Sequence, residues 1–417
     1  MIEADLVIRN IRQLATPAGV PPLRGSDFGK LLVIDDAAIA VRDERIVWVG
    51  AEADLVQAVA VNEETDTIDA AGTLAIPGLV DCHAHPVFAG DRSEEFDMRN
   101  TGVDYETLHA RGGGIARTVR MTRAALTDSI APDVSLHYDW MLRAGTTTTE
   151  AKSGYALTVD GELESLRTAI ACAGMHPIDV VPTILAAHTI PIEYVERGDA
   201  YIDEIAIPAV KAAAEQGLAR AADIFVERGS FNTVQARRYL TAAAEAGLLL
   251  RLHGDQFSEQ GSLSLAIELD ARSVDHLEAT DQRGANRLAD SDVAGVLLPL
   301  SSLFLGRPYA PGRALADACG IVAVASDFNP GSSYGESLTL AMSLACVGCG
   351  LRSSEALCAV TANAAWVLDL HDEVGRLEPG LLADVLLVDQ PDVRHLAYHV
   401  GSPAVRAVIK RGCLVEL

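Results

Sequence analysis

Two histidines, two residues apart, end one apolar run: Pro77-Gly-Leu-Val-Asp-Cys-His83-Ala-His85-Pro86. In an extended chain residues i and i+2 share a side. His83 and His85 therefore present both imidazoles to one point, and Pro86 stops the strand that carries them. This pair holds a divalent metal if the rest of the chain brings further donors. His188, His253 and His276 also close apolar runs, and Asp327 follows Ile321-Val-Ala-Val-Ala-Ser. A single histidine at a strand end is usually a hydrogen-bonded core residue. Several of them with a terminal aspartate are costly to bury without a purpose. The expected ligand set is His83, His85, His253 and Asp327, three imidazoles and a carboxylate with room for water. That suits a catalytic zinc or iron(II) ion, which lowers the pKa of coordinated water from roughly 16 towards about 7. Asp327 is then placed to take a proton, and His276 to stabilise the hydroxide or a developing oxyanion.

The elements that must bring these residues together alternate in kind. Eight apolar strand candidates lie near 79–85, 145–152, 178–187, 223–227, 247–253, 273–277, 293–300 and 320–327. Alanine-rich helical stretches such as Pro208–Gly217, Val234–Ala246 and Ser354–Leu368 fill the gaps. Near-continuous apolar strands alternating with helices mean a parallel sheet covered on both faces. Eight repeats over this length are the size of a TIM (β/α)8 barrel, whose reactive residues gather at the C-terminal ends of the strands. A doubly wound open sheet is the alternative, but no Gly-x-Gly-x-x-Gly follows the first strand of the middle region. Gly112-Gly113-Gly114 follows no strand and reads equally as a turn or as a mobile lid. Residues 1–76 and 373–417 are instead β-rich, with runs such as Leu6–Asn10, Ala38–Arg42, Arg45–Val49, Ala383–Asp389 and Val405–Val415. They are expected to form one small composite β-sandwich flanking a barrel of residues 77–372.

Composition narrows the function classes. A chain of 417 residues suits a barrel plus a smaller domain. Its 58 acidic and 33 basic residues give a net charge of -25, which argues against nucleic acid, whose phosphates need a basic surface. Seven scattered cysteines suggest reduced thiols in a cytoplasm. Cys346 and Cys349 have metal-like spacing, but no second pair accompanies them, and packing in a buried helix over Leu338–Cys349 explains them better. The N-terminus shows no signal-peptide pattern. The longest apolar stretch, near Val293–Leu305, is too short to span a bilayer and contains Pro299.

The metal motif, with His253 and Asp327, resembles the amidohydrolase superfamily. Four further stretches narrow the resemblance to the imidazolonepropionase family: Val87–Phe96, Glu150–Tyr155, Asp327–Ser333 and His395–His399. The resemblance runs through essentially the whole chain. It implies a cytoplasmic enzyme of histidine degradation, a homodimer, with one zinc or iron per chain held by His83, His85, His253 and Asp327. It further implies that water opens the lactam ring of a small imidazolone carboxylate. Arg92, Tyr155, His188, Gln256, Asn329, Gly331 and Ser332 match family positions that hold the substrate. The residue types agree: Arg92 can grip a carboxylate bidentately, His188 can bond the ring or its carbonyl, and backbone at Gly331 permits close approach. Gln256 stands where many related hydrolases carry a glutamate that shuttles protons. The proton route is therefore assigned to Asp327, with Asp255 as a second candidate. A bridging carboxylated Lys152 is disfavoured, because it follows the second strand, and Glu227 is expected to be structural. Rival readings are another cyclic-amide hydrolase or nucleobase aminohydrolase, or an inactive metal-binding protein.

Overall fold

In the computed structural model of the protein, residues 1–102, 113–402 and 404–416 are described. Eight parallel strands form one sheet in sequential order: β1 (Leu79–Asp81), β2 (Thr146–Lys152), β3 (Asp179–Ala187), β4 (Ala221–Val226), β5 (Leu249–Gly254), β6 (Ser273–His276), β7 (Ala294–Leu297) and β8 (Val322–Val324). Every one falls within two residues of, or inside, the range expected from the apolar runs. Closure occurs at the rim, just past the ends of β1 and β8. Ala84 and Phe328 form a parallel bridge, the amide of Asp327 donates to the carbonyl of His83 at 3.0 Å, and that of His85 to Phe328 at 2.9 Å. The backbone bonds that close the barrel thus set His83 and His85 directly against Asp327. Below them, Asp81 accepts from the amide and hydroxyl of Ser326 at 3.1 and 2.5 Å, a second tie between the same two strands.

Around the sheet lie helices whose apolar faces form the main core, rich in leucine, valine and alanine. Helix Thr233–Glu245 starts from a capping box made by Asn232 and Gln235. The single helix expected over Ser354–Leu368 is two, Ser353–Ala359 and Ala362–Val367. The break has a cause: the carbonyl of Val360 accepts from the amide of Val80 in β1 at 2.9 Å, so it does not continue a helix.

Both termini contribute to a second sheet. Its order is Cys413–Val415, Val405–Lys410, Val385–Val388, Leu74–Pro77, Leu6–Pro17, Leu31–Arg42, Arg45–Ala51, with Asp66–Asp69 beside Leu6–Pro17. The join between N- and C-terminal parts is the antiparallel pairing of Leu74–Pro77 with Val385–Val388. Alternating residues face two cores: Leu6 and Ile8 point to one, Val7 to another that includes Leu55 of helix Glu52–Ala58. From Pro77 the chain passes straight into β1 through Gly78. A Cβ there would lie 2.2 Å from the Thr147 hydroxyl, so only glycine fits. Lys410, 4% exposed, fastens this sheet to the barrel by pairing with Asp384 at 2.5 Å and with Asp179 of β3 at 2.7 Å.

Candidate active site

The C-terminal rim of the barrel holds the four residues expected to bind metal. Nε2 of His83 and Nε2 of His85 are 3.3 Å apart, and Nε2 of His253 is 3.4 Å from that of His85. Oδ1 of Asp327 lies 3.6 Å from His83 Nε2 and 3.5 Å from His85 Nε2. Donors about 2.1 Å from a tetrahedral centre are about 3.4 Å from one another. These four distances match that spacing; His83, His85 and Asp327 form one group of donors all within 4.8 Å of one another, while His253 groups with His83 and His276 and with His85 and His188. The protonation states agree. Burial, then Lys152 and the neighbouring imidazoles, hold His83 far below the usual histidine range. Burial also holds His85 down to about 4, partly offset by Asp327. Both rings are therefore neutral donors at pH 7. Burial works against ionisation of Asp327, but the hydrogen bond from His85 and the neighbouring imidazoles, His276 foremost, outweigh it and bring its pKa to about 2.

Behind the imidazoles stand acids. Nδ1 of His83 meets Oδ2 of Asp275 at 2.6 Å, and Nδ1 of His253 lies 2.9 Å from Oδ2 of Asp223. The first is a hydrogen bond that fixes the tautomer turning Nε2 of His83 towards the cluster; the second is an ion-pair approach without hydrogen-bond alignment. Neither aspartate was expected from the sequence to act here. The signal was present in Ala221-Ala-Asp-Ile-Phe-Val and Ser273-Val-Asp-His, where an acid interrupts an otherwise apolar strand. Asp327 adopts φ +54°, which aspartate tolerates, whereas His276 and Leu277 at +87° and +70° are backbone outliers beside the cluster.

A cavity of about 600 Å³ opens above the cluster, a size suited to a small polar ligand. Every residue expected to touch substrate lines it: Arg92, Tyr155, His188, Gln256, Asn329, Gly331 and Ser332, together with His85, His253, His276 and Asp327. His188 stacks on His85 with centroids 5.1 Å apart, and Tyr155 leans on His188 at 5.1 Å. Nδ1 of His276 is 3.4 Å from Glu278. Burial opposes the His276 cation, yet Glu278, Asp327 and Asp275 prevail and raise its pKa. Asn329 shapes the turn after β8 by accepting from the amides of Gly331 and Ser332 at 2.7 and 2.8 Å. The hydroxyl of Ser332 reaches Asp327 Oδ2 at 3.2 Å.

Arg92 was expected, but its supports were not. Nε of Arg92 donates to Glu95 at 2.9 Å, and the same carboxylate oxygen accepts from the amide of Gly114 at 3.0 Å. Arg92 lies so close to Gly331 that a Cβ there would stand 2.3 Å from Nη1. Gly331→Ala should therefore push the guanidinium aside and raise KM about tenfold, the loss of one charge-assisted hydrogen bond, at an unchanged melting temperature. Steady-state kinetics and a thermal melt on the same preparation check this.

Three other sequence-derived candidates are committed to other partners. Asp255 is not in the cavity: its oxygens accept from Ser262 at 2.6 Å and Thr280 at 2.8 Å, so it has no access to a reacting proton. Glu227 accepts from the amides of Phe257 and Ser258 at 2.9 and 3.0 Å, tying the loop after β4 to the loop after β5. Lys152 is fully buried and paired with Asp223 at 2.6 Å and Glu150 at 2.9 Å, which leaves no free amine for a carboxylated bridge. Of the glycine triplet, Gly112 lies outside the described residues. Gly114, at φ +70°, precedes helix Ile115–Asp128 and lines the cavity. Cys346 and Cys349 are free thiols, and Cys349 packs in the main core. Among the described residues, no helix is long and apolar enough to cross a membrane.

An eight-stranded parallel barrel with a His-x-His pair at β1, a histidine at β5 and an aspartate at β8 defines a metal-dependent hydrolase of the amidohydrolase class. A profile of the amidohydrolase family matches residues 140–415. The fold is similar to that of a zinc-bound adenosine deaminase from Xanthomonas campestris, with TM-score 0.68 at 19% identity over 100% of this chain and 95% of that one. Sequence similarity is closer still to imidazolonepropionase of Rubrobacter xylanophilus, 50% identical over 100% of this chain and 99% of the relative. Imidazolonepropionase of Symbiobacterium thermophilum is 43% identical over 100% and 98%. The chain belongs to the imidazolonepropionase family.

Proposed function

We propose that the protein hydrolyses the lactam C–N bond of 4-imidazolone-5-propanoate to give N-formimidoyl-L-glutamate. One observation carries this reading: His85, His253 and Asp327, with His83 beside them, share one small cavity with a guanidinium. Arg92 spends Nε on Glu95, and its terminal nitrogens have no acidic partner among the described residues. They are free to bind the propanoate carboxylate bidentately.

In this reading His83, His85, His253 and Asp327 hold one divalent ion, zinc or iron. When bound, such an ion supplies Lewis-acid polarisation and acidifies water. The chain's own groups do the rest. Water adds its oxygen to the lactam carbonyl carbon, the C–N bond breaks, and the departing nitrogen takes a proton. Asp327, steadied by Ser332, accepts the proton of the water and returns it to that nitrogen. His276 donates to the oxygen that gains negative charge. His188 and Tyr155 flank the ring, and Gln256, Asn329, Gly331 and Ser332 supply amide, hydroxyl and backbone donors. The same reading takes the protein as a cytoplasmic homodimer, on the strength of its free cysteines and its family.

Because Gln256 cannot shuttle protons, Gln256→Glu should change kcat by less than about tenfold, well short of the roughly 10²–10⁴-fold of a general base. A larger fall or rise would move the proton route to this position. The function itself is tested by the loss of imidazolonepropionate absorbance on adding purified protein, beside a panel of nucleobases and other cyclic amides. Turnover of the imidazolone alone supports the reading. Faster turnover of a nucleobase or another lactam overturns it.

A further inference from the structure

Beneath the ligands, the barrel interior is not the layered aliphatic packing such barrels usually have. It holds five charged side chains, each no more than 1% exposed: Glu150, Lys152, Asp223, Arg251 and Asp275. They come from β2, β4, β5 and β6 and alternate with apolar residues along their strands, so they point inwards.

They form a continuous chain. It starts at Nδ1 of His253, 2.9 Å from Asp223. Asp223 pairs with Lys152 at 2.6 Å, and Lys152 with Glu150 at 2.9 Å. Glu150 pairs with Arg251 at 2.5 Å, and Arg251 with Asp275 at 2.9 Å. Asp275 meets Nδ1 of His83 at 2.6 Å. Two neighbouring imidazoles of the proposed ligand set, with ring centroids 4.4 Å apart, are thus joined at their backs by one run of ion pairs. Thr183 of β3 adds a hydroxyl bond to Glu150 at 2.5 Å, and Ser273 of β6 a bond from Arg251 at 3.0 Å.

Such a chain is a poor source of stability, because desolvating five charges costs about as much as their attraction returns. Its geometry gives it another use. Each aspartate reaches a ligand imidazole and, on its other side, a cation that holds it in place.

We propose that Glu150 is a positioning residue for the metal site: it touches neither ligand, but joins Lys152 to Arg251 and so locks Asp223 against His253 and Asp275 against His83. The inference rests on the ligand set proposed above. With Glu150 neutral, Lys152 and Arg251 lose their common anchor, both aspartates gain freedom, and both imidazoles lose the steady acid behind them.

The test is cobalt(II) binding to apoprotein, followed by visible absorption in competition with a chelator, with the melting temperature of each apoprotein alongside. For Glu150→Gln the expected result is a 10- to 100-fold weaker cobalt affinity, the range seen when an outer partner of a metal ligand is removed, with altered cobalt bands. Thr183→Val, a milder change that leaves all five charges, should move affinity the same way by a smaller factor, and decides the matter if Glu150→Gln does not fold. A purely structural role for Glu150 would lower the apoprotein melting temperature while leaving affinity and bands at wild type. Wild-type affinity and bands in whichever of the two variants folds overturn the proposal. His253→Ala separates the layers: if it binds cobalt as the wild type does, the ligand set itself is wrong and the proposal falls with it. If it loses cobalt while the other variants keep it, only the role of Glu150 is lost.

Discussion

Asp327→Asn is expected to lower kcat by roughly 10²–10⁴-fold even when the protein carries a full metal complement. The asparagine side chain keeps the shape and one oxygen donor, so the cluster of Nε2 and Oδ atoms at 3.3–3.6 Å survives in outline. What is lost is the carboxylate oxygen that faces Ser332 at 3.2 Å and can take a proton. Among the described residues, no other acid in the cavity can replace it: Glu95 is committed to Arg92 and Gly114, Glu227 to the amides of Phe257 and Ser258, and Asp255 lies outside. Metal analysis and single-turnover rates on one sample separate the two roles. Near wild-type kcat in a metal-loaded Asp327→Asn protein would refute the proton route.

The second large effect belongs to Arg92. Removing a bidentate partner of a carboxylate costs about 3 kcal/mol, twice the lower value for a hydrogen bond to a charged group, or roughly 150-fold. Arg92→Ala should lose about that factor in kcat/KM, mostly as raised KM, because the carboxylate is held alike before and during reaction. Arg92→Lys should recover only part of it, since an ammonium ion cannot present two parallel donors. An Arg92→Ala enzyme with unchanged KM would show that the propanoate end lies elsewhere in the cavity.

Much of this was legible before any coordinates. The His83/His85 pair, His253 and Asp327 stood out as candidate metal ligands because metal ligation demands particular residue types at strand ends, and strand ends follow apolar runs. For the same reason all eight barrel strands were placed from β-rich apolar segments alone. The Arg92 position came from local motif likeness rather than from physics. What stayed hidden depends on which strands face each other across the barrel. Lys152 reads in sequence as a possible metal-bridging amine, and only the register of β2 against β4 places Asp223 at 2.6 Å from it. Glu150, Arg251 and Asp275 lie on three different strands, and barrel shear, not spacing along the chain, makes them partners. Asp255 follows a ligand by two residues and seemed a plausible shuttle. A backbone turn at φ +54° instead hands it to Ser262 and Thr280. The split of the expected helix at Val360 was equally invisible, because its cause is a hydrogen bond from β1, far back in the chain.

Anomalous diffraction from crystals of the metal-loaded protein tests the central claim most directly. One site per chain is expected, with the ion about 2.0–2.2 Å from Nε2 of His83, His85 and His253 and from Oδ1 of Asp327. A peak centred on His188 or Lys152, a second peak of equal height, or full activity in crystals without any peak would contradict it.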